Sequence, residues 1–334
     1  CNNDALAEYL SKKYELDIYD VVQVKNVFRV YARQGDKCLK RVKFGKEDFM
    51  FILSCMKHLM KNGFKGILPF IPTKEGKDYI KLENGYGFLT DWMQSRNCDY
   101  SNPVDLKMAA VALSKLHNAS RGFIYEDCKN RYGWGKWIEK FSSRLNEMNS
   151  FKKIIGQKSE FTRFDSVYAD NVDYFMEMGI KSIEHVKQSK YFDLMDKEKL
   201  NNSFCHHDYA HHNVLITPDL SVYIIDFDYC ICDTRLHDLS SLIIRKRRHG
   251  NWNIEKAQYI IDSYLEEGYM ADDEIPVISA FIEFPQDFWQ VGLQYYVEKL
   301  KWSEDQFNKR LNNAVNDKYD KKKFIDEFKY SIKI

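Results

Sequence analysis

From residue 103 onward the chain reads as one helical pattern after another, with one stretch that does not. Asn213-Val-Leu-Ile-Thr217 and Val222-Tyr-Ile-Ile-Asp226 are short β-type runs around Pro218-Asp219-Leu220-Ser221. Two such runs about a turn signal an antiparallel hairpin. A four-residue loop at 218–221 pairs Thr217 with Val222, and the same register carried outward sets Asn213 opposite Asp226. The hairpin thus places an amide oxygen beside a carboxylate, with Asp208 just upstream. Hard oxygen ligands at that separation suit Mg²⁺, which keeps several waters and takes the rest of its shell from phosphates.

The segment leading into the hairpin, Cys205-His-His-Asp-Tyr-Ala-His-His-Asn213, is rich in histidine. Zinc needs three or four converging ligands. Here His206/His207 and His211/His212 are adjacent pairs, and adjacent side chains diverge in helix and strand alike. The only distant cysteines nearby, Cys230 and Cys232, form a C-x-C with no further pattern. The skeleton His206-x-Asp208-x-x-x-x-Asn213 explains more. It matches the H-x-D-x-x-x-x-N catalytic loop of protein kinases, where the Asp accepts the substrate hydroxyl proton and the Asn binds Mg²⁺. Asp226 of Asp226-Phe227-Asp228 then stands as the second metal ligand.

The first hundred residues supply the other half. With Val21–Lys25 as a first strand, Val27–Arg33 and Lys37–Lys43 are β-type runs around Gln34-Gly35-Asp36. A helix follows over Glu47–Asn62, with Phe49, Ile52, Leu53, Met56, Leu59 and Met60 in helical period and Asn62-Gly63 as its stop. Asp78–Glu83 and Tyr86–Trp92 flank Asn84-Gly85, a hairpin signal. A kinase needs a strand lysine for the nucleotide phosphates. Alternation puts Cys38, Lys40 and Val42 on one face, the better inner face, so Lys40 is the candidate. Glu47 or Asp48 at the start of the next helix is its candidate partner, with Glu47 taken first, although the helix dipole favours an acid there in any case. Phe88–Met93 closes this part, and the backbone of Thr90, Asp91 and Trp92 is the natural place to bond an adenine edge.

After Trp92 the pattern changes. Asn102-Pro103 opens a helix whose stripe is Leu106, Ala109, Ala110, Leu113 and Leu116. Helical patterns continue at 137–148, 162–188, 255–267 and 286–302. The whole is an α+β chain: a small antiparallel lobe with one helix (1–93) and a large mainly helical lobe (94–334), with the hinge at about 90–96. A net charge of +1 gives no global field for nucleic acid or an acidic membrane, so neither is expected as a partner. No apolar run approaches a membrane span. Eight scattered cysteines read as reduced thiols rather than a disulfide framework. Cys1 at the start fits a mature lipoprotein or a trimmed chain alike.

These residues resemble the aminoglycoside phosphotransferase and choline kinase superfamily, the small-molecule branch of the protein-kinase-like fold. The matching elements are Cys38-Leu39-Lys40, Leu116-His117, His206-His207-Asp208-x-x-x-x-Asn213, Ile225-Asp226-Phe227 and His237-Asp238-Leu239. More narrowly the chain is similar to the CotS-type spore-coat proteins. They share the Leu-Lys-Arg-Val strand, the helix ending in an Asn-Gly-Phe turn, the Cys-His-x-Asp-Tyr loop and Ile-Asp-Phe-Asp-Tyr. The resemblance implies ATP and Mg²⁺ as cofactors and a small-molecule hydroxyl as acceptor. It implies Asp208 as base, His206 as brace of the loop, Asn213 and Asp226 as metal ligands, and Lys40 as phosphate contact. Asp238 would be a structural anchor, and Asp228 is left open. It also implies a place in the mother-cell cytoplasm or the spore coat, with other coat proteins as partners.

Two departures stand out. The hairpin around Lys25-Asn26-Val27-Phe28 has no glycine-rich phosphate loop. His207 replaces a common Gly, which would reshape a loop needing positive φ. Trp252, Trp289, Tyr295, Tyr296 and Trp302 could cage a quaternary ammonium or simply pack. Arg245-Lys246-Arg247-Arg248 could hold an anionic sugar or a peptide, or end a helix in solvent. An active kinase, a coat protein that keeps the fold as a structural or nucleotide-binding module, and a histidine-based metal binder are the three function classes. Retention of Lys40, Asp208, Asn213 and Asp226 together favours the first.

Overall fold

The computed structural model describes residues 3–246 and 252–334. Cys1 and the Arg247-Arg248 part of the basic run lie outside the described residues. The N-terminal part is a five-stranded sheet in the order β1-β2-β3-β5-β4. Its strands are β1 (Ile18–Val24), β2 (Val27–Ala32), β3 (Lys37–Val42), β4 (Ile80–Leu82) and β5 (Gly85–Asp91), with all neighbours antiparallel. Gly85 is required where it stands. Its φ is +104°, and a Cβ there would meet the Val42 carbonyl oxygen at 2.3 Å.

Two helices cover this sheet, where one was expected. α2 (Lys46–Lys61) buries Phe49, Ile52, Leu53, Met56 and Leu59, the face read from the period. α1 (Asn3–Lys13) is the additional one. Its Leu6 and Leu10, with Tyr14 just beyond, lie one turn apart and pack on Val21, Val30, Leu39, Ile80 and Leu89. The face of β3 opposite Lys40 is therefore buried as well: Leu39 has no exposed surface. Leu6, Leu10 and Tyr14 are the only residues of this segment that are fully in the core, and so sparse a stripe among polar and small residues gave too little periodic signal to reveal the helix.

The rest is mainly helical: α3 (Pro103–Ser120), α4 (Trp137–Gly156), α5 (Arg163–Gln188), α6 (Tyr191–Asn201), α7 (Leu236–Lys246), α8 (Ile254–Leu265), α9 (Ile275–Glu283), α10 (Gln286–Tyr296), α11 (Glu304–Asn316) and α12 (Lys318–Ser331). α3 begins as the sequence implies, with the Asn102 side chain accepting from Val104 N–H and Pro103 at the first position. A three-stranded sheet, β6 (Arg96–Asn97), β7 (Val214–Ile216) and β8 (Val222–Ile224), lies within it. One large apolar core runs through the helices and takes in the buried face of α2. No described helix is long and apolar enough to cross a membrane.

The hairpin register differs from the expected one by a residue. Ile216 pairs with Val222, Leu215 with Tyr223 and Val214 with Ile224. Thr217 N–H bonds Ser221 O at 3.0 Å, so the loop has three residues, and Leu220 closes it at φ +64°. A three-residue loop needs its last residue in the left-handed region. The sequence offers Leu there rather than Gly, which hid the loop length.

Candidate active site

The slipped register sets Asn213 against Ile225, whose N–H donates to Asn213 O at 3.0 Å. Asp226 comes one residue later, at φ +65° and ψ +63°. That left-handed turn ends the strand and brings the chain to Lys40 on β3. There Asp226 Oδ1 lies 2.7 Å from Lys40 Nζ, and Asp228 Oδ2 lies 3.1 Å from the same nitrogen. Burial works against the charge on Lys40, but Asp228 and Asp226 outweigh it and its pKa stands above the ordinary lysine value. Burial raises the Asp228 carboxyl, with Lys40 pulling the other way.

Glu47 is not the partner of Lys40. It is exposed on the first turn of α2, where the helix dipole alone accounts for an acid. The neighbouring Asp48 does the bonding, to Arg131 Nε at 2.6 Å. Arg131 Nη1 donates to the carbonyls of Asp228 at 2.8 Å and Cys230 at 3.1 Å. The acid of α2 thus reaches the Asp226-Phe227-Asp228 segment through an arginine. Arg131 sits in an aperiodic loop, and nothing in the sequence marked it.

The strand that leads out of the sheet is more committed than expected. Trp92 N–H donates to Asp36 O at 3.0 Å, and the Arg29 guanidinium lies over the Trp92 ring. The Trp92 amide is therefore taken. The Asp91 carboxylate pairs with Lys37 Nζ at 2.7 Å, and the Thr90 hydroxyl is buried and donates to Asp91 O.

The catalytic-type loop is held from below. Asp238, fully buried on α7, accepts the backbone N–H of His206 at 2.7 Å and of His207 at 2.8 Å. Burial would raise its carboxyl, but hydrogen bonds from His117 and His237 outweigh that and hold it well below the usual carboxylate range. His206 Nε2 bonds Ile225 O at 2.9 Å, tying the loop to the hairpin. Asp208 Oδ2 receives Asn213 Nδ2 at 3.2 Å, and Asp208 Oδ1 receives Arg245 Nη2 at 2.7 Å. His207 keeps φ at +66° despite its side chain, so the loop retains a glycine-like backbone. Its ring stacks on His237 at 3.7 Å, and burial with the His237 neighbour lowers its pKa.

The histidines do not converge. His206 faces Ile225 O, His207 stacks on His237, and His211 and His212 stand edge to face in a short 3₁₀ turn. Among the described residues, one trio of ligand-type atoms comes together, on Cys205, His237 and Asp238. Both Asp238 oxygens are bonded to backbone N–H groups, and burial holds the Cys205 thiol protonated. The other set fits a metal better. Asn213 donates through Nδ2 to Asp208, which leaves its Oδ1 as an acceptor. Asp228 Oδ1 is buried with no hydrogen-bond partner among the described residues. With Asp226 these are hard oxygens, the donors that suit Mg²⁺.

The aromatic cage does not form. Trp289 carries the Arg144 guanidinium at 4.5 Å, Trp302 carries Arg310 at 4.2 Å, and Lys158 lies over Tyr295 and Tyr296. Trp252 packs on Phe324 and donates to Asp317. Phe164 stacks on Tyr295 at 3.9 Å. The candidate rings are half-buried and pack against the edge of the core, each already in contact with a cation or another ring of the chain.

A small antiparallel sheet over a helical body, with lysine, two aspartates and an H-x-D-x-x-x-x-N loop meeting between them, defines a protein-kinase-like phosphotransferase fold. Solved structures agree. An aminoglycoside phosphotransferase from Alicyclobacillus acidocaldarius superposes with a TM-score of 0.82 at 19% identity, over 96% of this chain and 93% of that one. A spectinomycin phosphotransferase in complex with ADP and its antibiotic gives 0.70 at 18%, over 96% and 99%. The chain belongs to the family described as "Spore coat putative kinase YutH", whose model matches residues 7–328. Spore coat protein S of Bacillus subtilis is 22% identical over 307 residues, 91% of this chain and 86% of that protein.

Proposed function

We propose that the chain transfers the γ-phosphate of Mg²⁺·ATP to a hydroxyl of a small molecule, in association with the spore coat. The observation that supports this best is the meeting of Lys40 with Asp226 and Asp228 beside the Asp208–Asn213 pair. Asp226, Asp228 and Asn213 Oδ1 would hold Mg²⁺, which supplies charge neutralisation for the phosphates. Lys40 is the protein's own cation for the phosphate oxygens. The acceptor oxygen bonds to the γ-phosphorus as the bond to the ADP oxygen breaks, and Asp208 takes the hydroxyl proton. His206 and Asp238 keep the Asp208 backbone fixed during that transfer.

A second reading is a coat component that keeps the fold with weak or no turnover. It is favoured by the first hairpin, a two-residue turn with Lys25 at φ +53° and no glycine to cradle phosphate. Melting with and without Mg²⁺·ATP, in the parent and in Asp226→Ala, separates the two. Ligand at 100 times its Kd stabilises by about 2.7 kcal/mol, a shift of roughly 5 °C or more. A Mg²⁺-dependent shift lost in Asp226→Ala supports nucleotide binding at this site, and release of ADP with an acceptor then decides for catalysis. No shift at millimolar ATP decides for the second reading.

A further inference from the structure

Arg245 is fixed at two points. Nε donates to Ser241 Oγ at 3.1 Å, one turn back on α7, and Nη2 donates to Asp208 Oδ1 at 2.7 Å. The side chain is 25% exposed, and Asp208 is 28% exposed. A permanent cation therefore sits in hydrogen-bond contact with the carboxylate assigned to take the acceptor's proton. The nucleotide side does not account for it. Lys40 already serves Asp226 and Asp228, and Asn213 holds the other oxygen of Asp208. Arg245 holds the Asp208 oxygen that Asn213 leaves.

An acceptor hydroxyl must come to Asp208, so the groups on its neighbouring carbons come within reach of this guanidinium. A positive group there meets a like charge a few ångströms away beside a partly buried ion pair, which works against binding. A negative oxygen group finds the guanidinium fork, which is built for carboxylate and phosphate. The aromatic residues point the same way. Four of the rings that could have held an ammonium group already carry a cation of the chain: Trp289 lies against Arg144, Tyr295 and Tyr296 against Lys158, and Trp302 against Arg310. We propose that the acceptor carries an anionic oxygen group, a carboxylate or a phosphate, beside its reacting hydroxyl, and that Arg245 recognises it. This rests on the phosphotransferase reading above and narrows it to anionic hydroxyl compounds.

The test is ligand-observed NMR on the full chain with four probes: D-glycerate, glycerol 3-phosphate, glycerol and choline. The two anions are expected to bind at millimolar concentration, with glycerol and choline at least about 10-fold weaker. Arg245→Gln should weaken the anions by about 10- to 100-fold, the range carried by a charged hydrogen bond. Arg245→Lys should restore part of the loss, and it serves as the second variant if the glutamine form does not fold. The tighter of the two anion arms decides between carboxylate and phosphate. Equal binding of choline or glycerol in the parent, unchanged anion binding in Arg245→Gln, or no anion binding at all overturns the inference. The phosphotransferase reading fails by a different result, the absence of a Mg²⁺·ATP melting shift, which does not depend on Arg245.

Discussion

Lys40 Nζ and Asp226 Oδ1 are 2.7 Å apart, although 186 residues separate them in the chain. The contact joins the third strand of the N-terminal sheet to the end of the hairpin in the helical part. Asp228 adds a second carboxylate to the same nitrogen. Removing the lysine leaves two partly buried acids facing each other.

Lys40→Met should therefore lower stability at neutral pH by about 1–3 kcal/mol, less than for a fully buried pair because both acids keep some solvent. If the acids also form a hard-cation site, Mg²⁺ alone should replace the lost charge. Millimolar Mg²⁺ should then raise the melting temperature of Lys40→Met by more than that of the parent. Equal shifts would mean that Asp226 and Asp228 do not hold the metal.

Asp233 gives the chain a pH dependence of opposite sign to ordinary acid unfolding. Its carboxyl is wholly buried, accepts Thr234 N–H through Oδ1 and leaves Oδ2 without a hydrogen-bond partner among the described residues. Burial pushes it up to about 6, against the pull of Lys140 and His237. Between the unfolded value of about 3.9 and that value the folded state binds more protons, so this group's contribution falls as pH rises through the window. The loss is on the order of 3 kcal/mol and is complete above the folded pKa. Asp233→Asn keeps the acceptor for Thr234 and removes the titration. Urea unfolding should find the two proteins close at about pH 4 and the variant more stable above about pH 7. A difference independent of pH would refute the assignment.

The hairpin tip offers a stabilising change. Leu220 is 62% exposed and holds φ +64°. Its side chain gains little there, and a branched residue in the left-handed region costs energy that glycine avoids. Leu220→Gly should raise stability by about 0.5–1 kcal/mol, the reverse of the usual glycine penalty. Thermal melting checks it, and a loss of stability would mean that the Leu220 contacts outweigh the backbone strain.

What could be read in advance was local and periodic. α2 and α3 declared themselves by an apolar stripe with a stop or cap at the end, and α5 ran from its Thr162 cap as the pattern implied. α9 was not legible, because Ile-Pro-Val-Ile-Ser-Ala-Phe-Ile is apolar all round and has no period. Neither were α11 and α12, whose few apolar residues lie among many charges. At the site, Lys40 followed from strand alternation, and Asp208, Asn213 and Asp226 from a spaced motif. The hairpin slip was hidden because Leu220 carries no turn signature. Arg245 stood in view as part of a basic run. Its bond to Asp208 depends on how α7 packs under the loop, where Ser241 one turn back holds its Nε, a spacing that played no part in the reading of the sequence.

Glu47 and Asp48 are adjacent acids on one helical turn, and only the second is tied into the site. Adjacent helix positions point about 100° apart, so one residue decides which acid faces inward. Asp48 meets Arg131, which is largely buried and also holds the carbonyls of Asp228 and Cys230. Asp48→Asn leaves that guanidinium without its counter-charge while keeping the shape. It should cost about 1–3 kcal/mol in urea unfolding and weaken Mg²⁺·ATP binding, because the Asp226–Asp228 segment loses its brace. Glu47→Gln removes an exposed charge and should stay within about 0.5 kcal/mol of the parent, with the nucleotide shift unchanged. If Glu47→Gln instead abolished the nucleotide shift and Asp48→Asn did not, Glu47 would be the helix acid that serves Lys40 in the nucleotide-bound state, and the role given to Arg131 would be wrong.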